Sequence, residues 1–422
     1  MGVSIFGLAW RSLMNRKVSA LLTVFAIALS VALFLGVEKA RNAAKSGFDN
    51  TISGTDLIVG APSGQVNLLL YSVFRLGNAT AEISWDAYEA LDARDDVAWT
   101  VPISLGDSHR GFRVLGTNLS YFEHYKYGQK QPLAFAVGQE FDDLFDAVVG
   151  ADVARTLGYE LGSPLVITHG LGAGGLSDHD NRPFRVTGIL RPTGTPVDQT
   201  IHISLEAMTA IHVGWESGTR NPLADTLTED TIRSFDLTPR TVTATFVGLK
   251  NRASVLRTRR DINTNRSEPL LAIIPGQALA ELWQVMSTAE RVLLAISAFV
   301  IAVGLVSILT SILTSLNERR REMSILRATG ARPMHIFTLL IAEATFLGLI
   351  GAVLGALLIQ LIFAIAAPIL AAQYGVALIG TGPGLVDVYT IGAVTFAALF
   401  LGIWPAMTAL RRSLADGLTV KV

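Results

Sequence analysis

The sequence of 422 residues contains no cysteine, which excludes disulfide bonds and thiolate metal sites but does not identify a compartment. It also contains no Gly-Lys pair, which the phosphate-binding loop G-x-x-x-x-G-K-[ST] requires. The motifs H-E-x-x-H and G-x-S-x-G, typical of metalloproteases and α/β-hydrolases, do not occur. The sequence therefore excludes ATP hydrolysis through a P-loop, and we expect that the chain is not an enzyme.

Charged residues are scarce. They make up 16% of this chain, and half of its residues are apolar. A soluble protein carries about 25% charged residues. The formal net charge of −1 gives no electrostatic argument for binding nucleic acid. A helix of roughly 20 apolar residues crosses the hydrocarbon core of a bilayer. Four segments are long enough and are predicted as spans: 18–37, 289–316, 336–370 and 388–410.

The first of these spans has features of a signal peptide, because Arg16 and Lys17 precede it. Its 20 uncharged residues exceed the apolar region of about 7–15 residues in signal peptides, and no clean cleavage site follows Val37. We expect an uncleaved membrane anchor.

The orientation follows from lysine and arginine in the short segments, which stay in the cytoplasm. These residues concentrate at both ends of the chain and in segment 317–335, whereas segment 371–387 contains none. Both termini are therefore predicted to be cytoplasmic, in a bacterial inner membrane. The predicted order is a cytoplasmic amphipathic helix (1–17), the first span (18–37), a periplasmic domain (38–288), the second span (289–316), a cytoplasmic helix (317–335), the third span (336–370), a periplasmic loop (371–387), the fourth span (388–410) and a cytoplasmic tail (411–422).

The periplasmic domain alternates short helical and extended patterns. Ser84 is positioned to cap a helix, and residues 241–249 are rich in β-branched residues typical of a strand. Strand patterns occur at both ends of the domain and in an insert at roughly 138–238. The predicted fold class is an α-helical membrane domain of four spans with a large, two-lobed α+β domain between the first and second.

Segment Arg319–Arg332 reads R-R-R-E-M-S-I-L-R-A-T-G-A-R, and Glu343 follows it in the third span. Together with Trp404-Pro405-Ala406, this pattern resembles the permease subunits of the MacB/FtsX/LolC–LolE group of ABC transporters, the FtsX-like, type VII family. Segments 147–158 and 184–190 resemble parts of that family's periplasmic domain. Three glycines complete the pattern: Gly348, Gly351 and Gly355.

The resemblance implies a coupling helix that binds a separate cytoplasmic ATPase, which would carry the ATP and magnesium. It also implies a dimer of permease chains, identical or different, and a periplasmic or outer-membrane partner. The cargo would be lipoprotein, lipid, peptide or drug. The residues expected to couple to the ATPase are Arg321, Glu322, Leu326, Arg327, Ala328, Gly330 and Ala331.

Alternatives remain at each of these positions. The arginines of the turn could serve only to fix topology, and Glu343 could snorkel, pair or function within the membrane. The glycines offer a small-residue face for close helix contact. A second function is that of an FtsX-like signalling permease, which would control a periplasmic partner such as a cell-wall hydrolase without moving cargo.

A third function, periplasmic zinc handling, rests on histidines alone. Carboxylates and imidazoles suit zinc, but the spacing matches no known motif, and scattered surface histidines are the alternative reading. The candidate zinc ligands are His169, Asp178, His179, Asp180 and His202.

Overall fold

The computed structural model describes residues 16–169, 183–214, 227–318, 332–374 and 382–415. The chain divides into two compact units. The membrane unit comprises Met1–Ala43, Ser287–Pro368 and Gly380–Val422, and the outer unit comprises Ala44–Met286 and Ile369–Ile379.

The described residues form eleven α-helices. They are α1 (Lys17–Asp49), α2 (Gln65–Phe74), α3 (Trp85–Asp92), α4 (Ser120–His124), α5 (Ala151–Leu157), α6 (Leu205–Ile211), α7 (Glu229–Arg233), α8 (Val255–Asn263), α9 (Pro275–Glu318), α10 (Pro333–Tyr374) and α11 (Leu385–Ala415).

The strands found in the described residues lie in the outer unit. They are β1 (Leu57–Gly60), β2 (Ile83–Ser84), β3 (Val97–His109), β4 (Phe112–Thr117), β5 (Lys126–Tyr127), β6 (Gln131–Pro132), β7 (Phe135–Gly138), β8 (Asp146–Val149), β9 (Pro164–Leu165), β10 (Thr168–His169), β11 (Phe184–Leu190), β12 (Thr200–Ser204), β13 (Thr241–Val242), β14 (Ala244–Leu249) and β15 (Leu271–Ile273).

One mixed sheet organises the outer unit. Its order is β15-β1-β14-β3-β4-β12-β8-β11-β7, with β10 paired to β3 and β9 to β11. The pairs β4–β12 and β8–β11 are parallel, and the remaining pairs are antiparallel. Strands from the two ends of the outer region lie at one side of the sheet, and strands from its middle lie at the other side. The two lobes therefore share a continuous sheet, while the insert boundary at 138–238 stays a prediction.

Burial explains the largely apolar sequence of the central strand β14, A-T-F-V-G-L. All six residues of β14 are buried, as expected for a strand covered on both faces. The predicted cap of α3 is confirmed, since Ser84 Oγ accepts a hydrogen bond from the Ala87 amide at 3.2 Å.

The four longest helices are apolar enough to cross a membrane. The spanning segments are Lys17–Asp49, Pro275–Thr314, Pro333–Leu370 and Leu385–Arg411. The predicted fold class is confirmed: four membrane helices, with an α/β domain between the first and the second.

Candidate functional site in the helix bundle

Two glycines of α10 bring its backbone against α1. A methyl group at Gly351 would lie 2.7 Å from Ile27 Cβ, and one at Gly355 would lie 2.5 Å from the Ala28 carbonyl oxygen. Both distances are too short for a side chain, so only glycine permits this approach. The contact joins the first and third spans.

The other predicted glycine faces a different helix. A methyl group at Gly348 would lie 2.5 Å from Ala398 Cβ on α11, and one at Gly402 of α11 would lie 2.7 Å from Ala344 Cβ. The three glycines of the predicted pattern therefore serve two helix contacts, because they do not all point to one side of α10.

Serine side chains join α1 to α9. Ser30 Oγ lies 2.7 Å from the Ala26 carbonyl oxygen of its own helix and 3.1 Å from the Val300 carbonyl oxygen of α9. Ser19 and Ser311 exchange a hydrogen bond of 3.2 Å between the same two helices. Interhelical hydrogen bonds of this kind contribute about 0.6 kcal/mol on average in membrane proteins. Helix α1 thus contacts both α9 and α10.

A buried ion pair joins α1 to α11. The Lys39 ammonium lies 2.9 Å from Asp387 Oδ2, and each side chain is only 9% exposed. Lys39 Nζ also donates to the Gly382 carbonyl oxygen at 2.8 Å, and the Gly384 amide donates to Asp387 Oδ2 at 2.7 Å. The pair therefore fixes the beginning of α11 against the end of the first span.

This pair is only partly satisfied. Asp387 Oδ1 is enclosed and has no hydrogen-bond partner among the described residues. Desolvation of two charges is repaid only when their remaining donors and acceptors are also satisfied. We therefore attribute to the pair a role in selecting one helix arrangement rather than a large net stabilisation.

Sequence reasoning did not identify this pair. Lys39 lies two residues after the predicted first span, and Asp387 lies one residue before the predicted fourth span. The sequence feature that could have indicated an ion pair is the presence of opposite charges at the same predicted edge of the membrane. Their separation of 348 positions in sequence gave no indication that they meet.

Glu343 lies inside the bundle on α10 and is 5% exposed. The described structure places it beside Ala344, where Gly402 of α11 makes its close approach.

The predicted ATPase-coupling residues lie outside the described residues, as do Asp178, His179 and Asp180 of the predicted zinc set. The side chain of His169 is not described either. His202 is fully buried on β12, where its ring packs 5.1 Å from that of Tyr121. Burial lowers the pKa of His202 to about 3, and the nearby Arg75 charge acts in the same direction. No cluster of three or more potential metal ligands occurs among the described residues.

Four apolar helices and an α/β domain between the first and second define the class of this molecule. It is a multi-pass membrane protein with a large domain outside the spans. Two family models match it: FtsX-like permease C-terminal over residues 294–414, and MacB-like periplasmic core domain over residues 20–264. The chain belongs to the FtsX/MacB-like permease family of ABC transporters, in which a separate subunit hydrolyses ATP.

Two solved structures are similar to the chain. The extracellular domain of the noncanonic ABC-type transporter YknZ from Gram-positive bacteria is 14% identical, with a TM-score of 0.31, and the match covers 52% of this chain and 99% of that domain. The periplasmic region of MacB from Actinobacillus actinomycetemcomitans is 9% identical, with a TM-score of 0.33, and the match covers 55% and 94%. At these scores the likeness carries no argument about function. No curated protein matches the chain.

Proposed function

We propose that this permease relays ATP-driven motion from a separate cytoplasmic ATPase to its periplasmic domain, which acts on lipoprotein, lipid, peptide or drug cargo. Segment 317–335 is the proposed docking site of the ATPase. The permease would work as a dimer of identical or related chains, with both termini in the cytoplasm of a bacterium and the outer unit in the periplasm.

The proposal rests on two helices that each contribute residues to both units. Helices α1 and α9 each contain a membrane span and also contribute residues to the outer unit. An unbroken helix transmits axial and rotational displacement better than a flexible linker, whose ends move independently. A displacement at the cytoplasmic end of α9 would therefore be carried along its length.

Close packing within the bundle supports the same reading. The glycine contacts of α10 and the serine contacts of α9 both converge on α1, so these helices would move together. Packed interfaces of this kind switch between discrete arrangements rather than deforming continuously. A relay needs such discrete movement.

The test uses the complete complex of permease and ATPase in nanodiscs. Glu322→Arg reverses a charge within the family pattern, and Gly330→Pro replaces a residue of that pattern with one that lacks a backbone N–H donor. Glu281→Arg is the matched control, because it makes the same charge change at an exposed position of α9 in the outer unit, away from segment 317–335. We expect both test variants to lose cargo-stimulated ATPase activity while the control retains it.

Two results would contradict this proposal. Normal cargo-stimulated ATPase activity in both test variants would exclude a role for the segment in coupling. ATPase activity that responds to no cargo, together with a stable complex with a periplasmic hydrolase, would instead favour the signalling function.

A further inference from the structure

An apolar cavity of about 540 Å³ lies within the outer unit. Its walls come from the end of α1, from α2 and from the first turns of α9. Aromatic rings form one side, with Phe48 at 4.3 Å from Phe74 and at 5.6 Å from Trp283 between ring centroids. Ile52, Leu69 and Leu279 supply aliphatic surface. The volume and lining are those of a site for a small apolar ligand.

Two charges of opposite sign also line the cavity. Lys45 and Asp49 are both exposed and lie one helical turn apart on α1. They make no ion pair with each other, and neither side chain has a hydrogen-bond partner among the described residues. Among the described residues, the lining thus combines a largely apolar surface with the unpaired side chains of Lys45 and Asp49.

The cavity residues lie close in sequence to two membrane spans, which favours a ligand from the membrane. Lys45 follows Val37, the end of the predicted first span, by eight residues, and Trp283 precedes Val292 in the second span by nine. Both segments therefore adjoin membrane-spanning sequence. An amphiphile from the membrane that carries both charges in its headgroup complements the cavity more completely than an anionic lipid or an uncharged apolar molecule.

We propose that this cavity binds one acyl chain of a zwitterionic phospholipid of the phosphatidylethanolamine type. The hydrocarbon chain occupies the apolar interior, the phosphate group contacts Lys45 and the headgroup ammonium contacts Asp49. This assignment rests on the cavity and on membrane insertion of the chain, and it does not depend on coupling to an ATPase.

The test uses the full chain without its ATPase, in nanodiscs of phosphatidylglycerol. Phosphatidylethanolamine carrying a diazirine within one acyl chain is added as a minor component, and phosphatidylglycerol with the same diazirine is tested in parallel. Photocrosslinked peptides are mapped by mass spectrometry. We expect crosslinks within residues 45–52, 65–74 and 275–283, with phosphatidylethanolamine preferred about tenfold because one charge-assisted contact is lost with the anionic lipid.

Two variants test the position of the ligand. Ala280 lines the cavity and is exposed, so Ala280→Trp fills the space from its edge. Val285 is on the same helix, is 71% exposed and does not line the cavity, so Val285→Trp is the matched control. We expect Ala280→Trp to lower the crosslink yield at these peptides about tenfold and Val285→Trp to leave it unchanged.

A third variant tests the headgroup contact without altering packing. Asp49→Asn should abolish the preference for phosphatidylethanolamine, because Asp49 is the proposed contact of the headgroup ammonium, whereas Asp49→Glu should retain it. Equal crosslinking in wild type and Ala280→Trp, or a preference for phosphatidylglycerol, would overturn the proposal. A peptide or other non-lipid molecule that native mass spectrometry finds in the wild type but not in Ala280→Trp would also overturn it.

Discussion

Removing one partner of the Lys39–Asp387 ion pair should destabilise the bundle far more than removing both. Lys39→Met leaves the Asp387 carboxylate, 9% exposed, without its cation. Loss of one partner from a buried pair costs about 3–5 kcal/mol. The Gly384 amide still donates to Asp387 Oδ2 in this variant, which places the expected cost near the lower limit.

The reciprocal variant, Asp387→Leu, should behave similarly. Lys39 then keeps its hydrogen bond of 2.8 Å to the Gly382 carbonyl oxygen but loses the carboxylate. We again expect a loss of about 3 kcal/mol, roughly a hundredfold in the unfolding equilibrium.

The double variant Lys39→Met/Asp387→Leu removes both charges together. Replacing a buried pair with apolar residues is often neutral or stabilising by about 1–4 kcal/mol, because two desolvation penalties disappear. The unsatisfied Asp387 Oδ1 adds to the penalty in the wild type. The double variant should therefore be at least as stable as the wild type, with a coupling energy of several kcal/mol.

The measurement is the free energy of unfolding of the full chain in bicelles, analysed as a double-mutant cycle. Lys17→Met is the control, because Lys17 is exposed on the same helix and should change stability by less than about 0.5 kcal/mol. Single variants as stable as the control, or additive losses in the double variant, would refute the assignment of a buried, coupled pair.

Two further predictions address the bundle and the outer unit. Gly355→Ala should cost about 1–3 kcal/mol of bundle stability by overpacking, whereas Gly392→Ala should not, since a methyl group there meets nothing within 4 Å; equal stability of the two variants would contradict the packing. The pKa of His202, about 3 in the folded state, lies below its usual value of 6.5, so only the unfolded state gains a proton as the pH falls below 6.5. The outer unit should therefore lose about 2 kcal/mol of stability between pH 7 and pH 5, and His202→Phe should remove this loss in thermal unfolding. The same pH dependence in His202→Phe would assign it to other groups.

The spans were predictable because hydrophobic length is a local property of the sequence. Helix partners were not, because contacts depend on the faces of two distant segments. Gly348, Gly351 and Gly355 were predicted to form one small-residue face, yet Gly348 meets α11 and the other two meet α1. A sequence pattern identifies small residues but not the helix that each approaches.

The ion pair and the apolar cavity could not be predicted either, because each is formed by segments that are distant in sequence. Lys39 and Asp387 are separated by 348 positions, and the walls of the cavity come from three segments of the outer unit. Neither Phe48 nor Trp283 is unusual within its own segment. Only the fold brings their rings to 5.6 Å and creates the apolar space between them.

We propose that a separate ATPase drives this permease through segment 317–335. The most direct measurement is mild purification of the full chain from native membranes, followed by mass spectrometry of the associated proteins and an ATP hydrolysis assay. We expect an ABC ATPase to co-purify with the wild type in stoichiometric amount and Glu322→Arg to lose it. A wild-type chain that retains no ATPase under conditions that preserve the membrane unit would contradict this mechanism.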